Sequence, residues 1–427
     1  MKLGRLKFDG LWKKPDFMLL WSGQTVSVFG SMVGGSAMSF TAILTLHATP
    51  FQMGLLHAME LLPAFLIGLI AGAWVDRLRR RPLLIAADLG RALFLAAIPI
   101  AALLGVLRIE LVFFVALAVS VLTIFFNVAY QSYLPGLVSK DELVDGNSKL
   151  AASAAVAEVG GFGLAGTLVQ LFTAPLAILI DAGSFLVSVV SIALIRTPEV
   201  KSEPLEQPDM RREIIDGLKV VRQNPLLRIS ALSILFFGLT NGMFGSQVVL
   251  YMTKLGFNPA LLTLTWAVGG ISSLVGAMLV PRVNRLIGAG WAMVLGLIVS
   301  AFSGLLIVLA SGANVVSFGL LIAAQLGDGF YLIYDINQIS LRQGLASEEV
   351  LGRVNATMQF LAVGGALAGA LLGGGMGELI GSRWTLFIAS SLTIATAALI
   401  GFSPLRSHVT PGGSGQDTAL LPHEGSD

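Results

Sequence analysis

Cysteine is absent from the 427-residue chain, and charged side chains make up only 12% of it. The first absence excludes disulfides and thiolate chemistry. The second leaves too little polar surface to cover a soluble globule of this size. Histidine is scarce as well, and His47, His57, His408 and His423 lie too far apart in the sequence to suggest a metal cluster. We therefore expect no metal site and no cofactor.

Two motif classes are also missing. The pattern Gly-x-x-x-x-Gly-Lys-Ser/Thr, whose backbone cradles nucleotide phosphates, does not occur, which argues against work driven by a nucleotide. No histidine lies deep inside an apolar run, where it could serve as the base for a serine nucleophile. We therefore expect neither an intramembrane enzyme nor, from a chain this apolar, a nucleic-acid partner.

Hydrophobic side chains are abundant, at 55% of the chain, and the mean hydropathy is +0.83. The apolar runs exceed the ~10 residues of a membrane β-barrel strand, and the 49 glycines favour closely packed helices. A membrane-spanning helix needs about 20 apolar residues. By that measure the sequence predicts twelve spans, near 17–46, 52–75, 82–106, 110–134, 148–171, 174–196, 226–253, 259–282, 289–311, 315–341, 354–380 and 384–403.

The positive charges predict the orientation. If the N-terminus is cytoplasmic, 23 of the 27 Lys and Arg lie in cytoplasmic segments or at the span ends beside them. Only Arg108, Lys254 and Arg383 lie on the other side, and Arg91 lies within a span. Cytoplasmic loops of membrane proteins carry such an excess of positive charge. The polar N-terminus lacks a small-residue cleavage site, so we expect it to stay on the protein and both termini to be cytoplasmic.

An internal repeat predicts two halves. A shift of 204 residues places Gly72 on Gly276, and the Gly160-Gly161 pair on Gly364-Gly365. Parallel repeats of this kind are related by an axis along the membrane normal. The predicted organisation is a cytoplasmic N-terminal segment (1–16), a six-helix bundle (17–196), a cytoplasmic central loop with a basic amphipathic helix (197–225), a second six-helix bundle (226–403) and a disordered cytoplasmic tail (404–427).

The loop between the second and third predicted spans reads GAWVDRLRRR, which matches Gly-x-x-x-Asp-Arg-x-x-Arg-Arg. Further stretches accompany it in order: LPGLVSKDELVDGNSKL at 134–150, DAGSF at 181–185, GLKVVRQNPLLR before the seventh span, and SLRQ with LGRVNA within 340–356. Together they resemble the major facilitator superfamily, in its drug/proton antiporter branch of macrolide-efflux-like and siderophore-exporter-like proteins.

The resemblance implies an all-α integral membrane protein with twelve transmembrane helices in two pseudo-symmetric six-helix bundles. It implies a monomer in the bacterial plasma membrane that exports a small amphipathic organic compound by alternating access, in exchange for protons. A proton-coupled importer of a nutrient is the main alternative. A non-transporting receptor is a third, but it would leave the acidic residues Glu60, Asp328 and Asp335 within the spans unexplained.

The resemblance also implies a cytoplasmic gate formed by Gly72, Asp76, Arg77 and Arg81. In the family, the acidic residue lies near the N-terminus of the eleventh helix, whose free N–H groups favour an anion. The alternative is that the arginines are only a positive-inside anchor. Two departures concern the gate: Asn127 stands where the family has an acid, and Phe162 stands where it has a proline.

Asp88 and Arg91 lie three residues apart, hence on one helix face, inside the third span. An unpaired charge there costs at least ~2.5 kcal/mol, so we expect a structural pair packed against the second or fourth span. Direct proton movement is the alternative. Asp181 is expected to be a structural hydrogen-bond acceptor. The row Gly365, Gly369, Gly373 and Gly377 is expected to form a smooth packing face.

The tenth span carries a polar stripe, formed by Gln325, Asp328, Tyr331, Asp335, Gln338 and Arg342 at helical spacing. Such a stripe must face the bundle interior or a water-filled cavity. Asp328 is the deeper acid and the first candidate for proton coupling, with Glu60, Glu158 and Asp335 in reserve; a purely structural Asp328 is the alternative. The expected cavity-lining residues are Gln24, Asn127, Gln131, Asn241, Gln325, Tyr331 and Gln338.

Overall fold

The computed structural model describes residues 10–68, 71–75, 77–199 and 210–407. Within these ranges the regular structure is helical and no strand is present. The α-helices are numbered in chain order: α1 Pro15–Phe40, α2 Pro50–Ile67, α3 Ala71–Val75, α4 Arg80–Leu103, α5 Ile109–Tyr133, α6 Leu143–Phe172, α7 Ala174–Leu194, α8 Met210–Gln223, α9 Pro225–Lys254, α10 Pro259–Ile287, α11 Ala289–Leu309, α12 Val315–Ala324, α13 Leu326–Leu345, α14 Glu348–Ile380 and α15 Ser382–Gly401.

The predicted fold class is confirmed, because twelve segments of the described residues are long and apolar enough to cross a membrane. Each segment contains one long helix, except that α12 and α13 together form the tenth. Twelve crossings return the chain to the side where it began. We call the side that holds the described ends, Gly10 and Ser407, the terminal side, and the opposite side the distal side.

Helix starts follow local sequence signals. Proline occupies the first turn of α1, α2, α9 and α10, where its missing N–H is not needed for the helix. The side chains of Thr49, Asn224, Asn258 and Asn314 accept hydrogen bonds from N–H groups of the first turn of α2, α9, α10 and α12. Such caps satisfy donors that have no partner within the helix.

Several predicted spans differ from the structure. The second was predicted at 52–75, but α2 ends at Ile67 and Ala71–Val75 forms the separate helix α3. Gly68 and Gly72 lie at this break, and glycine is a weak helix former. The tenth was predicted as one helix, but Gln325 interrupts it, and its N–H bonds to Ile322 O over 3.1 Å in a tighter turn. The helices of the fifth and eleventh spans, α6 and α14, begin earlier than predicted, at Leu143 and Glu348.

The two halves pack in equivalent ways. In the first half α1 packs against α6 and α7, and in the second α9 packs against α14 and α15. Gly161 of α6 faces Phe29 and Met32 of α1, while its repeat-related partner Gly365 of α14 faces Leu235 of α9. The predicted role of the glycine row is confirmed: Gly365, Gly369, Gly373 and Gly377 all lie against α9.

Within the described residues, the main contacts between the two bundles come from the helix pairs α2 with α14, α2 with α9, and α6 with α10. On the distal side, three hydrogen bonds join the bundles. Gln247 Nε2 donates to Pro50 O over 3.0 Å, Phe51 N donates to Glu378 Oε2 over 3.2 Å, and Gly166 N donates to Thr263 Oγ1 over 3.0 Å.

An aromatic cluster reinforces the contact between the bundles. Trp266 of α10 stacks on Phe40 of α1, with ring centroids 6.4 Å apart, and meets Phe162 of α6 edge-on at 5.9 Å. The proline that the family resemblance would place at 162 is thus replaced by a ring that reaches the other bundle. Together with the hydrogen bonds, this cluster closes the distal side.

The central loop is attached to both bundles. Where the loop begins, the backbone N–H groups of Arg196 and Thr197 donate hydrogen bonds to Asp16 of α1, at 3.2 and 2.8 Å. The predicted amphipathic helix is α8, which packs against α9 and α14, with Val221 buried there. The tail was predicted to be disordered from residue 404, but this is wrong for Pro404–Ser407, which form a 3₁₀ helix because Leu405 is buried against α11 and α15. The rest of the predicted tail lies outside the described residues, as does the part of the predicted N-terminal segment before Gly10.

Candidate functional site

A cavity of about 250 Å³ lies within the C-terminal bundle, between α9, α10, α11, α13 and α15. Four aromatic rings form part of its wall, from Phe237, Phe244, Trp266 and Tyr331. Hydroxyl and amide groups form another part, from Thr240, Asn241, Ser300, Gln325, Ser390 and Thr393. Apolar walls with a few converging polar groups are typical of sites for small organic molecules.

Asp328 lines this cavity near the middle of the tenth span, close to the break at Gln325. Its carboxylate lies over Gly269 of α10, where a larger residue would displace it. The side chain is exposed toward the cavity, and within the described part of the chain no hydrogen-bond donor or cation contacts it. It therefore presents an acidic group that is free to bind a ligand or a proton.

A second polar group in the cavity lacks a partner. Ser390 Oγ is buried, and no protein group within the described residues forms a hydrogen bond with it. An unmet buried hydroxyl costs about 1–3 kcal/mol, which a bound molecule or water would recover. The nearby Thr393 Oγ1 instead donates to Thr240 Oγ1 over 3.0 Å.

The predicted stripe of the tenth span divides in two. Gln325, Asp328 and Tyr331 reach the cavity, and Tyr331 stacks on Phe237 with centroids 5.0 Å apart. Gln338 does not line it. Its side chain is buried between α9 and α13, where it accepts from Ser230 Oγ over 2.5 Å and donates to Ser233 Oγ and Tyr334 Oη over 2.6 and 3.0 Å. Asp335 and Arg342 are half-buried toward the terminal side.

The predicted charge pair lies inside the N-terminal bundle. Arg91 donates to Asp88, and its guanidinium lies 4.3 Å from the ring centre of Phe126 on α5 and 4.1 Å from that of Phe185 on α7. The prediction named the second or fourth span as the packing partner. In the structure the pair packs against the fourth span (α5) and the sixth span (α7), because α4 lies between those two helices.

The same buried region holds two further predicted residues. Asp181 of α7 accepts hydrogen bonds from Ser31 Oγ over 3.2 Å and from Ser184 Oγ over 3.3 Å. Gln24 Nε2 of α1 donates to Ser188 Oγ over 3.5 Å. Gln24 was expected to line the cavity, but this contact directs its amide toward α7, within its own bundle.

Three further predicted site residues, Glu158, Asn127 and Gln131, have exposed side chains. Glu158 is exposed one turn before Phe162, whose ring meets the opposite bundle, so Glu158 faces the cleft between the bundles. Asn127 and Gln131 are exposed one turn apart on α5. Asn241 lines the cavity itself.

Glu60 has a partner that the sequence pattern did not indicate. His57 Nδ1 lies 3.2 Å from Glu60 Oε2, and the two residues are three apart on α2. The i,i+3 spacing is a visible signal that could have identified the pair. His47 lies elsewhere, and His408 and His423 lie outside the described residues. In the described ranges no three His, Cys, Asp or Glu side chains are placed to hold a metal ion.

The predicted gate is described in part. Asp76 lies outside the described residues, while Gly72 lies in α3 and Arg77 is exposed. Arg81 donates from Nε to Ile192 O over 3.2 Å and from Nη2 to Ala193 O over 2.5 Å, so it caps the end of α7.

Glu199, at the start of the central loop, binds the N-terminus of α4. Its carboxylate accepts hydrogen bonds from Arg80 N at 2.5 Å and from Arg81 N at 3.3 Å, at the N-terminus of α4. An anion is favoured at a helix N-terminus. Sequence reasoning missed both contacts, because the partners lie more than a hundred residues apart.

Two six-helix bundles that meet around a cleft, with an acidic cavity near mid-span, define a membrane transporter. The model of the Major Facilitator Superfamily matches residues 20–362. The chain therefore belongs to that superfamily, which consists of transporters of small molecules and not of enzymes.

Relatives and solved structures agree with this assignment. The chain is 25% identical over 404 residues to the uncharacterized MFS-type transporter YfiS of Bacillus subtilis, covering 89% of this chain and 91% of that protein. It is 24% identical over 264 residues to macrolide efflux protein A of Streptococcus pyogenes, covering 58% and 65%.

Two solved structures have the same fold. The nucleoside transporter NupG has a TM-score of 0.74 at 12% identity, covering 90% of this chain and 98% of that one. A bacterial homologue of the iron transporter ferroportin in the inward-facing state has a TM-score of 0.72 at 17% identity, covering 92% and 99%. At these identities the likeness concerns the fold alone.

Proposed function

We propose that this protein exports a small amphipathic organic compound in exchange for protons. The carboxylate of Asp328 carries the proposal, since it has no protein partner among the described residues and lies in a cavity walled in part by four aromatic rings. Rings bind the apolar part of such a compound and attract a cation at their faces. The hydroxyl and amide groups of the wall fix its orientation.

The terminal side is the cytoplasmic side in this proposal, with both termini inside and the protein a monomer in a bacterial plasma membrane. The distribution of Lys and Arg supports this orientation, because 23 of 27 lie on or beside that side. The closed distal side then makes the described state inward-facing, which is also the state of the ferroportin homologue.

Proton coupling resides at Asp328 in this proposal. A cationic compound binds the ionised carboxylate and a proton removes its charge, so the compound and the proton compete for the same group. Glu60, Glu158 and Asp335 are the other acids of the spans. Glu158 faces the cleft, and Asp335 lies closer to the terminal side beside Arg342. The loop with Gly72, Asp76, Arg77 and Arg81 acts as the gate, with Arg81 holding α4 to the end of α7.

Export is supported by the similarity to macrolide efflux protein A, at 24% identity. The test is accumulation of a macrolide or an amphipathic dye in cells that express the protein and in cells with an empty vector. Expressing cells should accumulate less, and a protonophore should abolish the difference. Energy-dependent accumulation above the control would contradict export and support the importer.

A further inference from the structure

His57 and Glu60 form a hydrogen-bonded pair on α2, with 3.2 Å between Nδ1 and Oε2. The exposed fractions of their side chains are 30% and 37%, so water reaches both. Ser120 Oγ of α5 donates to the backbone carbonyl of Glu60 over 2.5 Å. This bond fixes the turn that carries the pair against its own bundle.

The imidazole faces the opposite bundle. A Cβ atom placed on Gly245 of α9 would lie 3.1 Å from His57 Nε2. The imidazole ring therefore approaches α9 at a glycine, where α9 has no side chain. Glu60 lies one turn from His57 toward the terminal side, and Asn241 lies one turn from Gly245 in the same direction. Because Asn241 lines the Asp328 cavity, α9 separates the pair from that cavity.

Within the described residues, no further charged side chain forms an ion pair with His57 or Glu60. Helix α2 packs against α5, α9 and α14. Within their described side chains, the titratable residues of these helices lie within two turns of a helix end: Glu110, Tyr130 and Tyr133 on α5, Arg228, Tyr251 and Lys254 on α9, and Glu349, Arg353 and Glu378 on α14. His57 lies seven residues after Pro50 and Glu60 seven residues before Ile67, in the central turns of α2.

We propose that the His57–Glu60 pair is a proton-binding site of this transporter, and that its occupancy controls closure of the distal contact between α2 and α9. With a neutral imidazole and an ionised carboxylate the pair carries one net negative charge. One further proton makes it neutral overall. Bringing α9 against the pair removes water, which costs more for a net charge than for a neutral pair.

Closure of the distal side therefore favours the protonated pair, and by linkage a proton on the pair favours closure. When the distal side opens, α2 and α9 separate and the pair meets the distal medium. When it closes, the pair meets the cleft, so the same site takes up protons on one side and releases them on the other.

The inference rests on the proposed function for its driving force, but its test needs neither substrate nor transport. Because the chain has no cysteine, spin labels can be attached at Leu104→Cys and Val315→Cys alone. These two distal sites belong to different bundles and are 71% and 88% exposed. Electron–electron distance distributions are then measured in nanodiscs from pH 5 to 8, in the labelled background and in five variants of it.

In the background the distal-open population should fall as the pH falls. His57→Gln and Glu60→Gln should each abolish this pH response. His47→Gln, which removes a histidine outside the contact, should keep it, and so should Asp328→Asn. Unfolding temperatures near that of the background show that the variants fold. Gly245→Ala gives a second approach: its added methyl group crowds the imidazole and should favour the distal-open state.

A response that survives in His57→Gln, or a background with no response, overturns the inference. Loss of the pH response only in Asp328→Asn also overturns the inference, because it shows that the cavity controls distal closure. A protein that imports its substrate would disprove the proposed export but would leave this pH response intact. The two failures are therefore distinguishable.

Discussion

Arg91 donates a hydrogen bond to Asp88 one turn earlier on α4, and both side chains are buried. Without the guanidinium, Asp88 and Asp181 would be left as buried carboxylates with no cation beside them. We predict that Arg91→Met lowers the free energy of unfolding by about 3–5 kcal/mol, the usual cost of removing one partner of a buried pair. Thermal unfolding of the purified protein in detergent measures the change.

The double variant Asp88→Asn, Arg91→Met should recover part of this loss, because it removes both charges of the pair. An Arg91→Met protein that unfolds at the wild-type temperature would show that the pair contributes nothing. Exposed Arg77 offers the matched control, and Arg77→Met should leave the unfolding temperature unchanged.

The glycine row of α14 gives a second prediction. At Gly369 an added Cβ would collide with the backbone of Leu239 on α9, whereas at Gly375 it would meet nothing within 4 Å. Gly369→Ala should therefore destabilise the protein by about 1–3 kcal/mol, the cost of overpacking. Gly375→Ala should be neutral or slightly stabilising, since alanine is the better helix former. Equal unfolding temperatures for the two variants would contradict the close packing of α9 on α14.

Thr173 connects α6 to α7 with a φ of 71°, and Gly381 connects α14 to α15 with a φ of 85°. A threonine in this region is strained by about 1–3 kcal/mol, whereas glycine adopts it freely. We predict that Thr173→Gly raises the unfolding temperature and that Gly381→Thr lowers it. A lower unfolding temperature for Thr173→Gly would show that the turn carries no strain.

The parts of this fold that follow from the sequence are those that depend on local pattern. Span length and composition predict twelve helices, and the four-residue spacing of glycine in α14 predicts its packing face. The interruption at Gln325 is not visible in hydropathy, because the flanking Ala324 and Leu326 continue the apolar run. Just after it, Gly327 and Gly329 bring α13 close to Ser303 and Ser272 of the neighbouring helices, a contact between residues far apart in the chain.

The candidate site also combines features that the local sequence predicts with features that it does not. Periodicity predicts that Asp328 faces the interior, but it does not predict that five helices of one bundle enclose a cavity around it. That enclosure, like the contact of Arg81 with Ile192, depends on residues far apart in the chain. The pairing of His57 with Glu60 lies within one helix turn and was within reach of the sequence.

The orientation gives a fourth prediction. Single cysteines at Leu104 and Val315 on the distal side should react with an impermeant maleimide added to intact cells. Cysteines at Val144 and Leu286 on the terminal side should not, although these positions are just as exposed, at 77% and 82%. All four should react after permeabilisation, which is the control for accessibility. Labelling of the terminal pair in intact cells would reverse the proposed topology.

The last prediction concerns the acid of the cavity. Asp328 has no partner among the described residues, whereas Asp335 on the same helix lies near Arg342. An ionised Asp328 attracts a cationic compound and a protonated one does not, so wild-type affinity should fall as the pH falls. Asp328→Asn carries no charge at any pH. It should bind with an affinity independent of pH, lower than wild type at high pH by about 1.5–3 kcal/mol, or more than about tenfold.

In reconstituted vesicles, Asp328→Asn should also lose exchange driven by a proton gradient, because no proton is released when the compound binds. Asp335→Asn is the matched control: it should lower the unfolding temperature, since Arg342 loses the charge beside it, and it should keep the pH dependence of binding. Fluorescence titration of the compound between pH 6 and 8 measures the first effect, and vesicle exchange the second. Undiminished, pH-dependent exchange by Asp328→Asn would remove Asp328 from the mechanism and leave His57–Glu60 and Glu158 as the groups through which protons move.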